Sequence, residues 1–112
     1  MHPERPPLRP AVLYILLALA QGELHGLGIA DAVAAASEGV VNLGPGTLYR
    51  SLDEMREMEL IKQVSAPMSD ADPRRKYYRI TRAGRGVLGA EVGRLDRLVT
   101  FARERAALPE GA

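Results

Sequence analysis

The spacing of apolar residues in this chain changes from a helical period to strand-like alternation and back, and that order limits the folds it can form. Three stretches with apolar residues three or four apart predict helices: residues 10–20, Gly26–Ala36, and a stretch that begins at Pro45. Two short segments rich in Ile, Val and Tyr, Ile61–Ser65 and Lys76–Ile80, then predict strands separated by prolines. A final helix is expected after Thr81, a good N-cap residue.

Residues 40–42 join the second and third helices and are long enough only for a brief strand or an extended connector. We predict the order helix, helix, short strand, helix, strand, strand, helix. This order is typical of a mainly α (α+β) winged helix-turn-helix with an extra C-terminal helix, and we expect a long, mobile tip on the hairpin. The apolar residues expected to face the core are Leu13, Leu16, Leu17 and Ala20 in the first helix, Ile29, Ala30, Val33 and Ala34 in the second, and Leu48, Leu52 and Met55 in the third.

The length of 112 residues fits one compact unit. We expect a flexible, proline-rich arm at residues 1–9, a winged domain at 10–81, a dimerisation helix at 82–107 and a tail at 108–112. The apolar run at residues 11–20 is about half the ~20 residues that span a membrane, which favours a core helix. The absence of cysteine excludes disulfides and thiolate metal sites and fits a cytoplasmic location.

The distribution of charge is more informative than the net charge of +1. Residues 73–90 carry six basic residues and no acidic one, which predicts one basic edge. The third helix has the dimensions of the major groove of DNA, and its N-terminal amides suit phosphate. We therefore expect a DNA-binding surface made of Pro45, Gly46, Thr47, Tyr49, Arg50, Arg74, Arg75 and Lys76. The alternative is an ordinary solvated helix with one tyrosine packed on a neighbour, beside a solvated run of charge.

Apolar residues of the last helix recur at spacings of 4, 3, 4, 3 and 4, as in a coiled-coil seam. The expected dimer interface is Leu88, Val92, Leu95, Leu98, Val99 and Ala102. Alternatively, this stripe folds back onto the first helix of its own chain. A candidate effector pocket between the first helix and the partner's last helix would be lined by Tyr14, Leu98 and Phe101, although ordinary packing explains these residues better.

The residue inventory argues against an enzyme, a metal site or a cofactor. His2 and His25 do not have the spacing of metal ligands, and His25 is expected to cap or pack at a helix start. The serines have no histidine nearby in sequence to activate them. The glycines around Pro45 lack the lysine of a phosphate-binding loop.

Four stretches of the chain resemble the PadR family of bacterial transcriptional regulators. They are Y-I-L-L-A-L at residues 14–19, H-G-L-G-I at 25–29, G-P-G-T-L-Y-R-S-L at 44–52 and R-K-Y-Y-R-I-T-R-A-G at 75–84. The resemblance covers residues 12–99 and implies a homodimeric repressor whose third helix reads a palindromic operator. It also implies a wing on the flanking DNA and dimerisation through the C-terminal helix. Some members are relieved by a small aromatic or drug-like effector, and the single short C-terminal helix indicates the smaller subfamily.

Two other functions compete with that of a sequence-specific regulator. One is a winged-helix module for protein interaction that does not bind an operator, and the other is a small-ligand sensor with incidental affinity for DNA. An interaction module has no reason to keep Arg50, Arg74, Arg75 and Lys76 uncompensated, whereas a sensor needs a wide pocket at the dimer interface.

Overall fold

The computed structural model describes residues 6–106 and confirms the mainly α (α+β) winged helix-turn-helix. The bounds predicted for the first two helices and for the two strands of the hairpin agree with the structure. The elements in chain order are α1 (Pro10–Ala20), β1 (Leu24–His25), α2 (Gly26–Ala36), α3 (Pro45–Glu57), β2 (Ile61–Ser65), β3 (Lys76–Ile80) and α4 (Arg82–Ala106).

The described residues contain one antiparallel sheet of three strands, in the order β1-β3-β2. The wing is the hairpin of β2 and β3, which pair from Ile61 opposite Ile80 to Ser65 opposite Lys76. On the other side of β3, His25 of β1 lies opposite Tyr77. The sheet therefore connects the wing directly to the start of α2.

The predicted short strand at residues 40–42 is wrong, because the short strand lies before α2 rather than after it. Residues 40–42 belong to the connector between α2 and α3, which turns through positive φ angles at Glu38 and Gly39. The Ser37 hydroxyl accepts a hydrogen bond from the Val41 N–H at 2.9 Å and closes this turn. A two-residue strand such as β1 is too short to show alternation, so periodicity could not reveal it.

The core lies where α1, α2 and α3 pack together and against β3 and the first turns of α4. In α2 and α3 the predicted inward positions are confirmed for Ile29 and Val33 and for the three residues of α3. In α1 the predicted face is partly wrong, because α1 is apolar on nearly all sides and periodicity cannot select the buried side. The buried residues of α1 are Val12, Ile15, Leu16 and Leu19, whereas Leu13, Leu17 and Ala20 are half-buried.

Helix α4 starts in tight contact with the connector between α3 and β2. The Thr81 hydroxyl accepts a hydrogen bond from the Gly84 N–H at 3.0 Å, which confirms the predicted N-cap. The same hydroxyl donates to the Glu59 carbonyl at 2.6 Å. Val87 and Leu88 join the core, and no residue from 92 to 106 is buried, so the second half of α4 extends away from the core.

The segment before α1 is held by contacts at both of its last residues. The Leu8 N–H donates to Glu91 Oε2 at 3.0 Å, and Arg9 Nη2 lies 2.5 Å from Glu54 Oε2. Leu8 also packs against the core. This part of the predicted flexible arm therefore bridges α3 and α4. Residues 1–5 of that arm, residue 107 and the predicted tail at 108–112 lie outside the described residues.

Candidate nucleic-acid interface

The first two turns of α3 are exposed at every position that the sequence assigned to DNA. Pro45, Gly46, Thr47, Tyr49 and Arg50 are exposed, while Leu48 and Leu52 anchor the opposite face of α3 in the core. Gly44 is the N-cap and supplies no side-chain cap, so the first amides of α3 keep their capacity to bind an anion. The exposed face thus combines a guanidinium and a hydroxyl with free backbone donors.

Tyr49 packs on a neighbouring element, as the alternative interpretation of the third helix predicted. The residue is 48% exposed, and its ring end lies against the first residue of α2. A Cβ built on Gly26 would lie 2.5 Å from the Tyr49 hydroxyl oxygen, so the ring would have to shift if Gly26 carried a side chain. Tyr49 therefore contacts the start of α2 and offers only part of its surface to DNA.

The basic residues of the wing lie where its loop joins β3, and Arg74, Arg75 and Lys76 are all exposed. The expectation that they are uncompensated is correct only in part. Arg74 Nε lies 3.2 Å from Asp72 Oδ1, and Arg75 Nη1 lies 3.8 Å from Asp70 Oδ2. Both carboxylates precede residues 73–90, the stretch that has six basic residues and no acidic one.

Two of the predicted DNA-binding cations have no ion-pair partner within residues 6–106, namely Arg50 and Lys76. The exposed C-terminal half of α3 is different in character, because it carries several carboxylates. An open cleft of about 780 Å³ there is lined by Asp53, Glu57, Glu59 and Lys62 among others. Among the predicted DNA-binding residues, the positive charges therefore lie on the first two turns of α3 and on the wing.

The tip of the wing is closed by hydrogen bonds, in contrast to the mobile tip that was expected. The Asp70 N–H donates to the Pro67 carbonyl at 3.0 Å, and Asp70 Oδ1 accepts from the Asp72 N–H at 2.8 Å. Asp72 in turn accepts from the Arg74 N–H at 3.0 Å. Aspartates that bond to amides two residues ahead are a recognisable turn signal, and D-A-D-P at residues 70–73 carried it.

Tyr77 and Asp70 form a hydrogen bond in the wing that the sequence did not predict. The Tyr77 hydroxyl donates to Asp70 Oδ2 at 2.6 Å. This hydrogen bond, followed by the one from the Asp72 N–H, lowers the pKa of Asp70 below its ordinary value. The same contact raises the pKa of Tyr77. Both shifts favour an ionised Asp70 that accepts from a neutral Tyr77.

The predicted dimer seam divides into a buried start and an exposed remainder. Leu88 is only 9% exposed and belongs to the core of its own chain, so it has little surface left for a partner. The alternative that the stripe folds back onto its own subunit holds for this first turn. Leu95 and Ala102 are half-buried, whereas Val92, Leu98 and Val99 are exposed.

The three residues of the candidate effector pocket lie on two separate elements. Tyr14 is half-buried on α1, whereas Leu98 and Phe101 are exposed on the outer half of α4. Arg105 covers the Phe101 ring, with its guanidinium carbon 5.1 Å from the ring centre. Neither the cleft beside α3 nor a smaller one of about 370 Å³ beside the wing is lined by these residues.

His25 has the structural role expected from its position. Its Nδ1 accepts a hydrogen bond from the Gly28 N–H at 3.3 Å and caps α2. Within residues 6–106, no group of three or more His, Asp or Glu side chains could hold a metal ion. In the same part of the chain, every helix is too short or too polar to cross a membrane.

The fold and this surface define a winged helix-turn-helix protein, a class in which a helix enters the major groove of DNA. Residues 15–90 match the family described as transcriptional regulator PadR-like, and the chain belongs to this family. The resemblance found in the sequence is thereby confirmed. The members are transcriptional regulators and not enzymes.

Known proteins similar to this chain include one sequence relative and several solved structures. A 37.1 kDa protein in a transposon of Streptomyces fradiae is 34% identical over 88 residues, which cover 79% of this chain and 24% of that protein. The chain thus spans about a quarter of that relative. A PadR family regulator from Clostridium difficile has a TM-score of 0.73 at 23% identity, covering 86% of this chain and 97% of that one. Bacillus subtilis PadR in complex with operator DNA has a TM-score of 0.64 at 20% identity, covering 75% and 47%.

Proposed function

We propose that this chain is a sequence-specific DNA-binding regulator that represses transcription as a homodimer on a palindromic operator. The observation that carries the proposal is the exposed face of the first two turns of α3. This face combines free amides with Thr47 and Arg50, while the apolar face of α3 is fixed in the core. A relative by fold, Bacillus subtilis PadR, has been solved with operator DNA bound. We also propose a cytoplasmic location.

Each part of the surface suits a different part of DNA. Arg50 can form a bidentate pair with guanine in the major groove, which supplies specificity. The amides of Gly46 and Thr47 and the side chain of Lys76 suit phosphate oxygens. Arg74 is exposed and paired with Asp72, and such surface pairs are worth about 0–1 kcal/mol. Exchanging this partner for a phosphate therefore costs little.

The homodimer is supported by the exposed apolar side of α4. Burying a side chain such as Leu98 or Val99 contributes roughly 1.5–3 kcal/mol, and several per subunit offset an association cost of about 4–15 kcal/mol. Symmetric pairing would place two α3 helices about one DNA turn apart, roughly 34 Å, or a multiple of it. The proposed interface is Val92, Leu95, Leu98, Val99 and Ala102.

An effector that relieves repression would fit between α1 and the partner's α4, with Tyr14, Leu98 and Phe101 as its contacts. A small aromatic compound is the ligand class that suits these apolar and aromatic side chains. What supports the location is that Tyr14 is half-buried at the edge of the core while Phe101 is exposed.

The surface is tested by two substitutions on a duplex selected from random DNA. Arg50→Ala should weaken binding to that duplex by about 1–3 kcal/mol and relax the base preference, because it removes a base contact. Lys76→Ala should weaken binding to all duplexes and reduce the salt slope by about one, because it removes a phosphate contact. Both are measured by fluorescence anisotropy titration at several salt concentrations.

Lys62→Ala is the matched control, because it removes the same charge from the neighbouring strand of the wing. Lys62 lines the cleft that contains Asp53, Glu57 and Glu59, so its loss should change affinity less than the loss of Lys76. If Arg50→Ala and Lys76→Ala both bind every duplex as the parent does, the assigned DNA surface is wrong.

A further inference from the structure

We propose that Asp70 and Tyr77 are positioning residues for DNA binding, because their hydrogen bond holds the wing tip in the conformation that presents Arg74, Arg75 and Lys76 to phosphate. The inference rests on the proposed function and adds two residues that need not touch DNA themselves. We name the Tyr77–Asp70 hydrogen bond the wing latch. It joins the strand β3 to the loop that precedes it.

The latch closes the loop at its centre. The Asp70 side chain is only 4% exposed, and its two oxygens are used on opposite sides: Oδ2 accepts from the Tyr77 hydroxyl at 2.6 Å and Oδ1 from the Asp72 N–H at 2.8 Å. The Asp70 backbone N–H donates to the Pro67 carbonyl at 3.0 Å. Asp70 thus connects Pro67, on one side of the loop, to Asp72, on the other side, and to Tyr77 in the sheet.

The basic residues follow directly from this anchored turn. Asp72, which is placed by Asp70, accepts from the Arg74 N–H at 3.0 Å, and the Arg75 N–H donates to the Asp72 carbonyl at 3.2 Å. Arg75 Nη1 also lies 3.8 Å from Asp70. The backbone that carries both arginines is therefore fixed through a continuous series of contacts that begins at Tyr77.

The Tyr77 ring is itself fixed by the helix-turn-helix unit. It meets the His25 imidazole edge to face, with ring centres 5.4 Å apart, and the two residues are opposite each other in β3 and β1. His25 caps α2 through the Gly28 N–H. The latch therefore places the wing tip relative to α2 and, through the core, relative to α3.

A loop that is ordered before binding loses less conformational entropy when its cations contact phosphate. Without the latch, residues 66–75 would keep both arginines but would have to become ordered in the complex. Affinity should then fall for specific and non-specific duplexes alike, because phosphate contacts carry no sequence information. Base preference should stay unchanged, since Arg50 is on another element.

Tyr77→Phe tests the latch, since it removes one hydroxyl, keeps the ring against His25 and changes no charge. We expect about a tenfold loss of affinity for selected and random duplexes with an unchanged salt slope, because the same phosphate contacts form once the loop is ordered. The amides of Asp72 and Arg74 should exchange hydrogen faster by nuclear magnetic resonance, while the amides of α1 keep their rates. A general loss of stability would instead accelerate exchange throughout the core.

Ser69→Ala is the matched control, because it removes an exposed hydroxyl from the position next to Asp70. It should leave affinity and wing exchange as in the parent. For Asp70→Asn only amide hydrogen exchange is measured. Its DNA affinity would not be comparable, because the substitution also removes a negative charge close to bound phosphate. It should accelerate the same two amides, and the double variant with Tyr77→Phe should add little further.

The outcomes separate this inference from the proposed function. A parent protein that binds duplex DNA, together with a Tyr77→Phe variant that binds equally well and has unchanged wing exchange, overturns the latch and leaves the DNA surface standing. Weaker binding with a changed base preference overturns it too, because the effect would then lie in α3. A parent that binds no duplex overturns the proposed function, and the positioning role with it.

Discussion

Two glycines show how closely the elements of this fold approach one another. At Gly26 a Cβ would meet the end of the flexible Tyr49 side chain, which can move aside. At Gly84 a Cβ would collide with the Leu60 carbonyl oxygen and lie 2.8 Å from the Ile80 side chain. Backbone cannot move aside without shifting β2 or α4, so Gly84 is required where α4 passes the connector between α3 and β2.

Gly84→Ala should therefore lower the free energy of unfolding. Overpacking costs about 1–3 kcal/mol, which exceeds the gain of up to about 1 kcal/mol from replacing glycine in a helix. Gly86→Ala is the control, because a Cβ there meets nothing within 4 Å and the variant should be equally or more stable than the parent. Urea unfolding followed by circular dichroism measures both. Equal midpoints for the two variants would contradict the close approach.

At the scale of the elements, helix α4 contacts the segment before α1 through Glu91. This residue is only 7% exposed although it is charged. Arg94 donates to both oxygens of Glu91, at 2.8 Å to Oε1 and 2.9 Å to Oε2, and Oε2 also accepts from the Leu8 N–H. The hydrogen bonds from Arg94 in the first place, and then that from Leu8, lower the pKa of Glu91 below 4.5. The carboxylate thus holds the segment before α1 against α4 as long as it is ionised.

This anchor predicts a loss of stability in acid. A carboxyl whose pKa is lower in the folded state stabilises the protein above its unfolded pKa, and that stability is lost as the pH falls through the folded pKa. Glu91→Gln should be less stable than the parent at pH 7 but should lose less stability between pH 5 and pH 3. Asp70, whose pKa is also lowered, leaves some decline in the variant. Parallel curves of urea midpoint against pH would contradict this account.

Some elements of the fold could be predicted from the sequence and others could not. The bounds of α1 and α2 and of the wing strands were predicted, because caps, glycines and alternation mark them locally. The strand β1 and the buried side of α1 were not predicted. The strand β1 depends on pairing with β3, and the buried side of α1 depends on packing against β3 and α4. In the site, exposure of Arg50 and Lys76 was predicted. The ion pair of Arg75 with Asp70 and the contact of Tyr49 with Gly26 in particular depend on tertiary packing.

At the scale of the whole molecule, the outer half of α4 is the feature that a single chain does not explain. Val92, Leu98 and Val99 are all about half exposed, and they lie beyond the last buried residue of α4, Glu91. An exposed apolar stripe of this kind is typical of an interaction surface. Two copies that pair along it would also double the DNA surface.

Leu95→Asp should therefore yield a monomer, because it places a charge in the middle of the proposed interface. Leu95 is half-buried in the single chain, so circular dichroism must show that the variant keeps its helices. Ala90→Asp is the control, since it adds the same charge at an exposed position on another side of α4 and should leave the dimer intact. Sedimentation velocity distinguishes the two states, and a Leu95→Asp protein that stays dimeric would move the interface elsewhere.

The central claim, that two copies of the α3 and wing surface bind one operator, is tested most directly by selecting duplexes from a random pool with the full chain. We expect enrichment of an inverted repeat whose half-sites are centred about one turn apart, 10–10.5 base pairs, or a multiple of it. A pool that shows no enrichment after repeated rounds, or one that yields a single half-site without its inverted copy, would contradict the account.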